Sequence, residues 1–174
     1  MKKSINITLK NNTEKEQSTG KLLELILSKY NLEKWILCRE VLIEEGIKSH
    51  SYPKVTLSAK PKTENQLLAV FLHEQIHWIE EGRKELMIKA VEELKNFFPN
   101  VPVGKPAGAD SEKSTYRHLV ICRIEFLALK ESLKEKEARE TVLGNSAYTW
   151  IRRTAVEEGF KIDLVIEKYF PDLI

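Results

Sequence analysis

From Ser4 to Ala59 the chain reads as short extended segments around one helix, whereas from Thr63 onward every periodic stretch is helical. Ser4–Lys10 alternates, with Ile5, Ile7 and Leu9 on one face and Asn6 and Thr8 on the other, the period of a strand. Leu22, Leu23, Ile26 and Tyr30 follow a helical stripe that Asn31 ends. Trp35–Ile43 and Lys54–Ala59 read as further strands, separated by Gly46 and Pro53. Strands first and helices only afterwards predict an α+β fold: a small N-terminal mixed sheet with helices, then an all-helical C-terminal part. At 174 residues the chain suits a single domain over 1–174, with an upper lobe over 1–82 and a helical lower lobe over 83–174.

The helical half is well punctuated. Thr63 and Gln66 have capping-box spacing, Gly82 stands where a left-handed residue would end a helix, and everything over 64–81 can be helical between them. Leu86, Met87, Ala90, Val91, Leu94, Phe97 and Phe98 form an apolar stripe that Pro99 stops. Pro99, Pro102, Gly104, Pro106 and Gly108 then fill an aperiodic stretch to about Thr115, a length of loop that is usually functional or mobile. Helices resume at Tyr116–Leu133 and Ser146–Glu158, and a last segment carries Ile162, Val165, Ile166 and Tyr169.

Composition narrows the function classes. Lys and Arg number 28 against 26 Asp and Glu, a formal charge of +2, and no basic stripe is interleaved with aromatics, so nucleic-acid binding is not expected. The start at Met1-Lys2-Lys3 has no apolar region behind it, and no apolar run is long enough to span a bilayer, so neither secretion nor a membrane is expected. Two cysteines, Cys38 and Cys122, make no disulfide framework and suit a reducing cytoplasm.

One constellation carries chemistry. Within Val70–Ile79, His73 and His77 are one helical turn apart, so both imidazoles project from one face and can close on one metal ion. Glu74 is the next residue round the helix, placed to reach a water on that ion. With His so scarce, shuffling this composition gives His-Glu-x-x-His with a probability on the order of one in a hundred. Gln75, Ile76, Trp78 and Ile79 around it are uncharged, so the motif sits in a buried helix. Two core histidines bonded to backbone are the bland alternative.

The motif resembles that of the zincins, metallopeptidases whose active-site helix carries it. The metzincin branch is excluded, because its glycine and third ligand fall on Glu80 and Arg83 here. The gluzincin branch implies a third ligand from a Glu on a later helix. In His118–Leu129, apolar nearly all round, Glu125 is that residue: buried, it must coordinate a metal or find a distant Arg or Lys, since Arg123 faces elsewhere. The resemblance implies zinc on His73, His77 and Glu125, with Glu74 as general base. His118 and Cys122 share Glu125's face and are rival ligands, and Glu80 is a further rival expected to be solvated at the helix end. For the oxyanion of a peptide-type hydrolysis, His118 is the first donor, with Tyr148 and Arg152, spaced i, i+4, as alternatives. By analogy, Val55-Thr56-Leu57 would pair with an extended substrate. A peptide or protein substrate follows. The competing reading is a zincin-like metal-binding protein that acts through a partner, or a latent form in which Asp110 or Glu112 of the long loop plugs the site.

Overall fold

The computed structural model describes residues 4–60 and 62–173. The basic start at Met1–Lys3 lies outside the described residues. The chain divides into two compact units, Met1–Ile79 and Glu80–Ile174. Among the described residues no helix is long and apolar enough to cross a membrane.

The first unit runs β1 (Asn6–Leu9), α1 (Glu14–Lys29), a 3-10 turn at Glu33–Trp35, β2 (Glu40–Glu44), β3 (Val55–Ser58), α2 (Glu64–Ile76) and a second 3-10 turn at His77–Ile79. The sheet is not mixed as the sequence suggested: β1-β2-β3 are parallel throughout, in register Ile7 to Val41 and Ile43 to Leu57. The reason lies in the connections. A whole helix, α1, carries the chain from β1 to β2, and the link over 45–54 returns it from β2 to β3 in the same direction. Among the described residues, antiparallel pairing survives only as a bridge between His50 and Thr56.

Local chemistry sets these elements. Thr13 and Glu16 form a reciprocal capping box at the start of α1, and Thr63 and Gln66 do the same for α2. The Glu16 carboxylate also accepts from the backbone N–H of Asn11 (2.8 Å) and Glu45 (3.1 Å), which ties the start of α1 to the end of β2. Val41, Ile43, Val55 and Leu57 are buried together with Leu67, Leu68, Phe71 and Leu72 of α2, which packs on β3. Each such side chain stabilises the fold by about 1.5–3 kcal/mol. Trp35 was expected to begin a strand. It lies instead in the first 3-10 turn, fully buried, and β2 starts only at Glu40.

The second unit runs α3 (Lys84–Phe97), α4 (Glu112–Ser132), α5 (Glu135–Leu143), α6 (Thr149–Glu157), α7 (Gly159–Tyr169) and a 3-10 turn at Pro171–Leu173. Its centre is α4, which packs against α3, α5, α6 and α7. Arg123 of α4 forks onto Asp163 of α7 (2.7 and 2.5 Å) and donates to the Ala155 carbonyl (3.0 Å). Gly159 leaves room for that guanidinium, because a Cβ there would overlap it.

The loop before α4 is closed by backbone bonding and by the Thr115 side chain of α4. Gly104 N–H donates to the Ala109 carbonyl (2.7 Å), Ala109 N–H to Thr115 Oγ1 (3.0 Å), and Thr115 Oγ1 to the Pro102 carbonyl (2.9 Å). α6 has no side-chain cap. Its first N–H groups, on Thr149 and Trp150, donate instead to the loop carbonyls of Pro106 (2.8 Å) and Ala107 (3.2 Å). The loop thus supplies a missing helix cap. Asp110 and Glu112, the carboxylates considered as plugs, are both solvent-exposed.

Candidate metal centre

α2 presents the motif on a buried helix. Leu67, Leu68, Phe71, Leu72 and Ile76 are sealed off, and His73 and Glu74 are buried beside them. At His77 the helix tightens: its N–H still reaches the His73 carbonyl, but residues His77–Ile79 continue as a 3-10 turn. The helix therefore ends earlier than the sequence suggested, and Gly82 is not left-handed.

His73 Nε2 and His77 Nε2 lie 3.3 Å apart, with the rings edge to face. Two nitrogens held at about 2.0–2.1 Å from one tetrahedral zinc stand about 3.3–3.4 Å apart. The same separation suits an N–H···N bond when one ring carries a proton on Nε2. This pair can therefore hold either a proton or a divalent ion between its rings.

Three polar side chains brace the motif within its own unit. Ser51 Oγ donates to Glu74 Oε2 (2.6 Å), and the Ser51 carbonyl accepts from Trp78 Nε1 (2.9 Å). Tyr52 OH donates to the His77 carbonyl (2.6 Å), and its ring packs on Trp78. Gln75, fully buried, clamps the strand-entry segment: its Oε1 accepts from the N–H of Leu37 (2.9 Å) and Cys38 (2.8 Å), and its Nε2 donates to the Cys38 carbonyl (2.8 Å). Neither Ser51 nor Gln75 was singled out from the sequence. The signal for Gln75 was available, since an amide inside an apolar helix must find partners.

β3 does not offer the open edge that the analogy suggested. Thr56 already exchanges both of its backbone bonds with His50 (2.8 and 2.9 Å), and Ser58 N–H donates to Ser49 Oγ (3.0 Å). An extended peptide would have to displace those bonds.

In the second unit α4 places His118, Cys122 and Glu125 at i, i+4 and i+7, all buried. His118 Nδ1 faces the Ser114 carbonyl at 2.7 Å, so Nδ1 carries a proton, and in the neutral ring the lone pair is on Nε2. That is the tautomer of a ligand; donation to an oxyanion from Nε2 would require the imidazolium. Glu125 Oε1 accepts from Arg152 Nη1 (2.7 Å), and both groups are buried. Burial opposes the charge on Arg152, but Glu125 outweighs it and holds the guanidinium well above its ordinary value. Glu80 is not solvated as expected: it is buried and ion-paired to Arg117 of α4.

Tyr148 is not inside a helix. It is the residue before α6, in the left-handed region at φ 59° and ψ 39°, a costly conformation for an aromatic side chain. Its ring lies 4.5 Å from that of His118, and its carbonyl accepts from Arg152 N–H (2.8 Å). His118, Tyr148, Arg152 and Glu125 thus form one connected set within this unit. The chain matches no protein-family model, no curated protein and no solved structure.

Proposed function

We propose that this protein is a zinc-dependent hydrolase of the zincin type, acting on a peptide or protein substrate in the cytoplasm. The observation that supports it most is the 3.3 Å approach of His73 Nε2 and His77 Nε2, beside a buried Glu74. Glu125 is the proposed third ligand on the gluzincin resemblance; its burial is already met by the distant-Arg alternative, the ion pair with Arg152. His118 is the rival, favoured by its Nδ1-bonded tautomer. When bound, zinc would bring the pKa of a water to about 7 and polarise a carbonyl.

The remaining steps belong to the chain's own side chains. Glu74 would take the water's proton and deliver it to the leaving amine. Ser51, bonded to Oε2, would keep that carboxylate turned and leave Oε1 for the proton. Tyr148 OH would donate to the developing oxyanion, with His118 taking that part only in its charged form. Both cysteines, Cys38 and Cys122, are buried thiols and suit a reducing compartment.

The test is Glu74→Gln beside wild type, both loaded with zinc and incubated with a peptide mixture read by mass spectrometry. We expect equal metal content and a loss of cleavage of about 100-fold or more in the variant. Full cleavage by Glu74→Gln would overturn the mechanism. A wild type that holds zinc and cleaves nothing would favour the metal-binding protein that acts through a partner.

A further inference from the structure

The ion pair between Arg152 and Glu125 is buried, and its arginine is not fully satisfied. Both side chains are withdrawn from water, with 4% and 0% of the residue exposed, and they meet through Nη1 and Oε1 at 2.7 Å. Arg152 Nε is also buried and has no hydrogen-bond partner. Even where such charges offset each other's burial, apolar replacements of buried pairs are often as stable or more so. An orphaned donor adds a cost.

What such a pair does supply is direction. Arg152 stands in the first turn of α6, its own N–H bonded to the Tyr148 carbonyl and the helix start held by the carbonyls of Pro106 and Ala107. α6 in turn packs along α4, the helix that carries Glu125. The guanidinium is therefore delivered from a braced element onto one carboxylate oxygen. Carboxylates that ligate metals are held in this way by outer hydrogen bonds, and losing one typically weakens metal affinity about 10–100-fold.

We propose that Arg152 is a positioning residue for metal binding: it fixes the Glu125 carboxylate in its ligating orientation without touching the ion. This rests on the reading of Glu125 as a zinc ligand. The pair's cost in stability is then explained by the metal-binding competence it confers.

The experiment measures zinc affinity by competition with a chromophoric chelator, together with the melting temperature of the metal-free protein. The variants are Arg152→Lys, Glu125→Gln, and Glu125→Gln combined with Arg152→Met. We expect Arg152→Lys, which keeps the charge but loses the guanidinium fork, to weaken zinc binding about 10–100-fold while remaining folded. We expect Glu125→Gln to weaken it at least as much, and the double variant to bind no more weakly than Glu125→Gln alone, because Arg152 acts only through Glu125. Wild-type affinity in Arg152→Lys, with Glu125→Gln weakened, would overturn the positioning role and leave the ligand standing. A double variant much weaker than Glu125→Gln would overturn it too, and needs no folded Arg152→Lys. Wild-type affinity in Glu125→Gln would instead remove Glu125 as a ligand.

Discussion

Replacing Gln75 with Met tests how the motif helix is tied to the sheet. The Met side chain is close to Gln in length and volume, so the substitution removes hydrogen bonds without opening a cavity. Three backbone groups lose their partner: the N–H of Leu37, the N–H of Cys38 and the C=O of Cys38. Leu37 is 44% exposed, so its N–H can turn to water, whereas Cys38 is 8% exposed and its two groups stay dry. Two buried polar groups left unmade cost about 1–3 kcal/mol each, and the thioether recovers part of that through its burial. The expected loss is about 2–4 kcal/mol, inside the usual 5–15 kcal/mol of a folded domain. Urea unfolding should show a lower midpoint at unchanged slope. Amide exchange at Cys38 should accelerate by a factor matching the loss. A change below about 0.5 kcal/mol, the range of an ordinary surface substitution, would refute the clamp.

Two further predictions follow from the fold. Gly108→Ala would push a Cβ onto the Pro102 carbonyl, a backbone atom that cannot swing away. It should cost about 1–3 kcal/mol by thermal unfolding, and wild-type stability would mean that the loop before α4 is slack. Glu16 tests the acid limb of stability: burial opposes its charge, but the N–H groups of Asn11, Glu45, Thr13 and Asn12 outweigh it and hold its pKa below the ordinary carboxylate value. A lowered pKa contributes stability above the unfolded value and loses it as pH falls through the folded one. Glu16→Gln should therefore melt below wild type at pH 7, with the gap narrowing as pH drops below the ordinary carboxylate range; a gap constant from pH 7 to pH 3 would refute this.

Much of the fold was legible because local signals agreed with tertiary packing. The Thr63 and Gln66 capping box, the apolar stripe of α3 and the alternation of β1 were each read correctly from spacing alone. The Thr13 and Glu16 capping box carried the same signal, yet the apolar stripe from Leu22 to Tyr30 marks only the C-terminal half of α1. Parallel pairing was not legible, since strand direction is set by how the connections cross and not by the strands' own sequences. Tyr148 falls outside the helix because α6 starts only at Thr149, whose N–H is held by the Pro106 carbonyl, a contact from more than forty positions earlier. At the candidate site, residue spacing brought His73, Glu74 and His77 into view. Ser51, which bonds Glu74, lies on another segment, and the partners of Gln75 and Glu125, namely Cys38 and Arg152, lie on other segments too. That Gln75 needs partners is legible from its apolar helix, but which groups partner Gln75, Glu74 and Glu125 follows only once the fold is known.

Metal content by mass spectrometry bears most directly on the central claim, on protein purified without chelator, wild type beside His73→Ala and Glu125→Ala. The account predicts about one zinc per chain in the wild type, lost in both variants. Zinc kept by Glu125→Ala would move the third ligand to His118 or Cys122. A wild type that takes up no metal, even after zinc is added back, would contradict the account and leave His73 and His77 as two core histidines sharing a proton.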